Sequence, residues 1–226
     1  MNICFVGTSH APKTLAAAAM SKGLYLTNHL EGADIVFVSE DSPVADNGER
    51  DLSDIEKMVR DAHVRCKLAA PLVLTSQVTP GFTRALGIHP IYHMAETLRI
   101  KDAMERALNP EQIILGCREP SAPLPKALET YCEAFKCPVH KMAFEAAEFA
   151  KIAINMFLAA QVDCTNRLSL AAARVGANWE DVRKVLACDK RIGPEAYLTP
   201  GRWQDSKHLL RDAYWLEMLD MYGPDQ

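Results

Sequence analysis

The sequence predicts an α/β fold: a parallel sheet with helices over the first part of the chain, then an all-α region built on one long helix. Three observations predict it. Short apolar runs bounded by turn residues alternate with helical patterns as far as Lys141. From Phe144 to Val175 the chain has no proline or glycine and is rich in Ala, Leu and Ile, and Gly176 closes this run. The 226 residues are 49% hydrophobic and 24% charged, a globular composition with material for one large domain or two small ones. The expected domains are residues 1–142, built on the sheet, and residues 143–226, helical.

Each element has its own signal. Ile3-Cys4-Phe5-Val6 marks a first strand, Asn2–Val6, and Pro12–Lys22 a helix closed by Gly23. A second strand is expected at Ile35–Ser39. The helix after it, Leu52–Leu68, begins with Ser53 and Glu56 in the spacing of a capping box. Leu72–Ser76 and Gln112–Leu115 read as strands, with a helix from Met94 to Leu108 between them. Pro120, Pro123 and Pro125 then punctuate the chain before a helix at Leu124–Phe135 and a short run at Cys137–Lys141. Beyond the long helix, Asn178 caps another, with Glu180 and Asp181 in its favourable first turn. A last helix is expected from Asp205 to Met221.

Composition also excludes classes. A net charge of −4 implies no general attraction to nucleic acid or to an anionic membrane. No apolar run approaches the roughly 20 residues that span a bilayer. Met1 leads straight into a strand, which leaves no room for a signal peptide, so a cytoplasmic protein is expected. Seven cysteines, an odd number without a C-x-x-C pair, read as reduced thiols. His89 and His93 have a spacing that metals use, but Pro90 intervenes and no third ligand is evident, so no metal is expected.

The stretch FVGTSHAP, Phe5 to Pro12, carries the first functional signal. A strand, a glycine and a helix at the start of a chain open a Rossmann-like, dinucleotide-binding fold, whose fingerprint is G-x-G-x-x-G. Here those positions are Gly7, Ser9 and Pro12. Pro12 suits a first helical turn but removes an N–H that faces phosphate in such loops. Gly7 and Thr8 remain as cofactor-side residues, and His10 and Lys13 stand near enough in sequence to help hold a small anion.

Six segments, in order, resemble the UDP-glucose/GDP-mannose 6-dehydrogenase family. They are MNICFVGTSHAPKTLAAAAMSKG, ADIVFVSEDSPVADNGERDLSDIE, VLTSQVTPGFTR, AETLRIKDAMERALNPEQIILG, AEFAKIAINMFLAAQVDCTNRLS and DKRIG. The resemblance implies a nucleotide-sugar substrate, NAD as cofactor, a cysteine that traps an aldehyde, and a homodimer formed through the long helix. It places Lys151 and Asn155 in catalytic positions, on one helix face by their i,i+4 spacing. An ammonium and an amide side by side stabilise an alkoxide. It gives Arg191 a substrate-binding role, Ser42 and Ser76 places on the cofactor side, and Asp205 the place of a catalytic aspartate through Gln204-Asp205.

The departures from the family are as informative. The glycine-cysteine segment that carries its nucleophile has no match in PGRWQDSKHLL, and Cys188, nearest in sequence, precedes the Arg-Ile-Gly turn. Ile100 stands where the family has an assisting glutamate, and Gln77 where it has a catalytic threonine. No acidic residue ends a clear second strand, and the chain stops at Gln226, where the family continues into a further domain. The reading is a shortened Rossmann-like domain followed by a helical dimerisation domain. It describes a catalytically degenerate, dimeric binding or scaffold protein with a nucleotide-sugar or other small anionic ligand. The alternative is a reduced NAD(P)-dependent oxidoreductase that acts on the CH–OH of a nucleotide sugar or small hydroxy acid through Lys151 and Asn155. A similar Lys/Asn pair serves the related 3-hydroxyacid dehydrogenases.

Overall fold

A computed structural model describes residues 1–44, 50–98 and 100–222, with Ile100, Met221 and Tyr222 in backbone only. The chain forms two compact units, residues 1–43 with 51–151, and residues 44–50 with 152–226.

The first unit is the sheet. Its strands are β1 (Asn2–Val6), β2 (Tyr25–Leu26), β3 (Ile35–Val38), β4 (Leu72–Leu74), β5 (Ile91–Met94), β6 (Ile113–Cys117) and β7 (Val139–Ala143), in the order β2-β1-β3-β4-β5-β6-β7. Every neighbouring pair is parallel except β5 with β6. The helices are α1 (His10–Ser21), α2 (Ser53–Arg65), the single turn α3 (Phe82–Ala85), α4 (Ala103–Leu108) and α5 (Lys126–Phe135). β3 is buried at all four positions, as a parallel strand covered on both faces must be. Alternation along the strands divides the core in two. Ile3, Ile35, Phe37 and Val73 join residues of α1 and α5 on one face. Cys4, Val36, Val38, Leu72 and Leu74 join Ile55, Val59 and Ala62 of α2 on the other.

Two expectations fail here. The stretch from Met94 to Leu108 is not one helix. Ile91–Met94 is a strand, Ile100–Asp102 a 3₁₀ turn, and α helix covers only Ala103–Leu108. Met94 pairs with Leu115 of β6 and the Ala95 N–H bonds to the Ile114 carbonyl at 3.1 Å, so sheet pairing holds the start of the expected helix extended. The capping box also fails, because Ser53 is already the first helical residue. Asp51 Oδ1 accepts from the Ser53 N–H at 2.9 Å instead, and the N-cap residue, Leu52, makes no side-chain cap bond.

The long helix α6 runs Phe144–Arg174, as the proline- and glycine-free run predicts. In the second unit its later part is joined by α7 (Trp179–Cys188), a 3₁₀ turn at Trp203–Asp205, and α8 (Lys207–Tyr222). Asn178 caps α7 by accepting from the Glu180 N–H at 3.0 Å. Polar side chains of α6 hold the segment between α7 and α8. Thr165 donates to Tyr197 C=O at 2.7 Å, Gln161 accepts from Tyr197 N–H at 3.0 Å, and Asn166 exchanges two bonds with Gly201.

Candidate functional site

In the first unit, the chain leaves β1 for β2 on one side and then crosses to β3 on the other. The carboxyl ends of β1 and β3 therefore flank a topological switch point, where open α/β sheets bind ligands. Gly7, at the end of β1, has φ +139°, and a Cβ there would lie 1.8 Å from the Ser39 carbonyl oxygen. The one glycine retained from the fingerprint is thus required by the closeness of the adjacent strand's backbone. The next residue, Thr8, gives its N–H to Glu40 Oε2 at 2.6 Å and its hydroxyl to the same oxygen at 2.9 Å. The Asp41 N–H adds a bond of 3.2 Å to Glu40 Oε1. Burial raises this carboxyl's pKa, but the bonds from Thr8 and Asp41 outweigh burial and hold it below the usual glutamate range. Ser76, buried, accepts from the Glu40 N–H at 2.8 Å and fixes the loop that carries the carboxylate; Ser42, on the same loop, is buried as well.

This arrangement does not fit a bound pyrophosphate at Thr8, because a carboxylate of the chain already takes that amide and hydroxyl. β2 is two exposed residues, Tyr25 and Leu26, followed by Thr27-Asn28, so no carboxylate ends it to meet a ribose. His10 pairs with Thr14 of its own helix at 3.2 Å.

A small open pocket in this unit has Leu15, Thr75, Met94, Glu96, Arg106 and Tyr131 in its lining. Burial raises the Glu96 pKa, against the pull of Lys151 and Arg106. Burial likewise raises Glu148 of α6, which accepts from the Gly81 and Thr83 N–H groups at 2.6 and 2.9 Å and so ties α3 to the helix.

Lys151 and Asn155 stand one turn apart on α6, Lys151 half-buried and Asn155 buried. The carboxylate beside Asn155 is Asp212 of α8, whose Oδ2 accepts from Asn155 Nδ2 at 2.6 Å. Asp205 is apart from it: it is exposed in the 3₁₀ turn and paired with Arg202 at 3.5 Å. Asp212 is fully buried, and its Oδ1 also receives the guanidinium groups of Arg50 and, at 3.4 Å, of Arg211. Arg191 is exposed and closes onto Asp189 with two guanidinium bonds of 3.0 and 2.8 Å. His208, exposed, lies on the first turn of α8. Among the described residues no three His, Cys, Asp or Glu side chains gather as a metal site would require, and no helix is long and apolar enough to cross a membrane. The seven cysteines are free thiols, Cys188 exposed at the end of α7.

Comparison with known proteins agrees with this frame. Residues 145–217 match the model of the UDP-glucose/GDP-mannose dehydrogenase family, central domain. UDP-glucose 6-dehydrogenase YwqF of Bacillus subtilis is 25% identical over 177 residues, which cover 74% of this chain and 40% of that protein. UDP-glucose 6-dehydrogenase of Pseudomonas aeruginosa is 26% identical over 200 residues, covering 79% and 43%. The chain thus spans about two fifths of the length of these relatives. The structure of a UDP-D-ManNAc dehydrogenase from Pyrococcus horikoshii superposes with a TM-score of 0.80 at 18% identity, over 100% of this chain and 66% of that one. An NDP-N-acetyl-D-galactosaminuronic acid dehydrogenase from Methanosarcina mazei Go1 gives 0.73 at 20% identity, over 100% and 62%. Residues 145–217 are thus similar to the central domain of the UDP-glucose/GDP-mannose dehydrogenase family, and the chain shares the α/β fold of these nucleotide-sugar dehydrogenase structures.

Proposed function

We propose that this nucleotide-sugar dehydrogenase-like chain is catalytically degenerate and acts as a dimeric binding or scaffold protein. One observation carries the reading: the Glu40 carboxylate holds the Thr8 N–H and hydroxyl at the switch-point crevice. An incoming phosphate meets a negative charge there in place of a free donor. Gly7, Thr8, Ser42 and Ser76, the residues on the cofactor side by resemblance, hold no dinucleotide in this reading. Its ligand is a nucleotide sugar or another small anion bound without turnover.

Calorimetry with NAD, and an NADH-absorbance assay with UDP-glucose and GDP-mannose, test it. The expected results are weak or absent NAD binding and no turnover. Replacing Glu40 by Ala removes the competing carboxylate and is expected to tighten pyrophosphate binding at least about tenfold, the effect of about 1.4 kcal/mol. Micromolar NAD binding by the unaltered chain overturns the proposal.

The buried Asn155–Asp212 pair favours a second reading, a reduced oxidoreductase working through Lys151 and Asn155, with Asp212 as a positioning residue for the amide. Turnover that disappears in Lys151→Ala decides for it.

A further inference from the structure

The side chain of Arg50 is only 4% exposed, and one of its nitrogens, Nη2, is bonded to Asp212. Among the described residues, its Nε and Nη1 are buried without a hydrogen-bond partner. A guanidinium carries five N–H donors, and leaving them unmet away from water is costly, the more so for a charged group. A second buried guanidinium, Arg211, addresses the same Asp212 oxygen, while the other oxygen is committed to Asn155. Asp212 is thus shared by Arg50, Arg211 and Asn155 at least, and its one bond to Nη2 does not satisfy Arg50. The planar, permanently charged fork of arginine suits an oxyanion better than any neutral acceptor. Burial and the neighbouring Arg211 charge lower the Arg50 pKa to about 10, the direction expected of a cation short of negative partners.

We infer that Arg50 anchors an oxyanion site in the second unit, with Arg211 beside it, for a small carboxylate or phosphate group. The inference is independent of the reading of the Thr8 loop, since it concerns other residues and needs no dinucleotide.

The test uses the full chain, with inorganic phosphate and acetate as separate probes and sodium chloride matched for ionic strength. One probe is expected to raise Tm saturably by at least about 2 °C, and to shift one protected arginine Nε–H resonance of the ¹⁵N-labelled protein along the same isotherm. A response to phosphate alone assigns a phosphoryl group, and one to acetate assigns a carboxylate. Arg50→Gln is expected to lose the response, and Arg50→Lys to retain part of it. An equal Tm rise in folded Arg50→Gln is a salt effect and overturns the site. Should Arg50→Gln not fold, the resonance titration of the unaltered chain decides, and no saturable shift with either probe rejects the site.

Discussion

At Gly7 the backbone of the adjacent strand leaves no room for a side chain. A methyl group would meet the Ser39 carbonyl oxygen at 1.8 Å, and φ is +139°. Gly7→Ala is therefore expected to destabilise the first unit by about 4 kcal/mol or more, or to prevent folding; urea denaturation measures it. His93 on β5 gives a pH prediction. It is 2% exposed, its Nδ1 has no partner among the described residues, and burial lowers its pKa from 6.5 to about 4. Between these values the unfolded chain takes up a proton that the folded chain refuses. Stability from the neutral imidazole is complete above 6.5 and is lost as pH falls toward 4, by roughly 3 kcal/mol in all. Glu96 and Glu148, whose pKa values burial raises, work in the opposite sense, so the histidine is isolated by difference. His93→Leu should remove this loss when urea midpoints at pH 7 and pH 4.5 are compared, and an unchanged difference would show that His93 is charged in the folded state. The sequence singled out Gly7 as part of a cofactor loop; its need for glycine comes from Ser39, 32 residues away, which no local pattern displays.

The elements were legible where local signals agree with their surroundings. The buried strand Ile35–Val38, the capped α7 and the uninterrupted α6 form as their sequences predict. β2 and β5 did not show, because two residues carry no periodicity and Ile91–Met94 is a strand only through its neighbours. The same distinction governs the site. Lys151 and Asn155 lie i,i+4 on one helix, and only the resemblance singles them out. Glu40, Arg50 and Asp212 find their partners 32, 162 and 57 residues away, so only the fold brings them together. Asp212 joins α8 to α6 and to Arg50 at once, and the cost of its loss follows. Asp212→Ala strands two buried guanidinium groups and the Asn155 amide, and is expected to cost about 3–5 kcal/mol by denaturant unfolding. The double variant Arg50→Met/Asp212→Leu, which removes one stranded charge and fills the space, should lose less than Asp212→Ala alone. A larger loss in the double variant would show that the charges act independently.

For the whole molecule, the second unit presents more apolar surface than its own helices cover. Phe157 and Leu170 of α6 are 75% and 63% exposed, and Val185 of α7 is 71% exposed. No residue of α7 is buried. Scattered exposed leucines are ordinary, but large apolar side chains exposed on one long helix and on its neighbour are the reason to test for self-association. A second copy of the chain is the partner that symmetry favours, since closed homodimers are the commonest soluble oligomers. Ala160, exposed on α6 like Phe157, lets a partner helix approach closely. An obligate interface of this kind buries more than about 2,000 Å² and has a largely apolar centre. Light scattering at micromolar concentration is expected to give twice the mass of one chain. Phe157→Glu introduces a carboxylate at an exposed position, so the folded monomer tolerates it, whereas a dimer centred on α6 buries the charge and dissociates. The expected outcome is a folded chain of half the mass with far-ultraviolet circular dichroism unchanged. A single-chain mass before substitution rejects the dimer, and an undiminished dimer after it moves the interface away from α6.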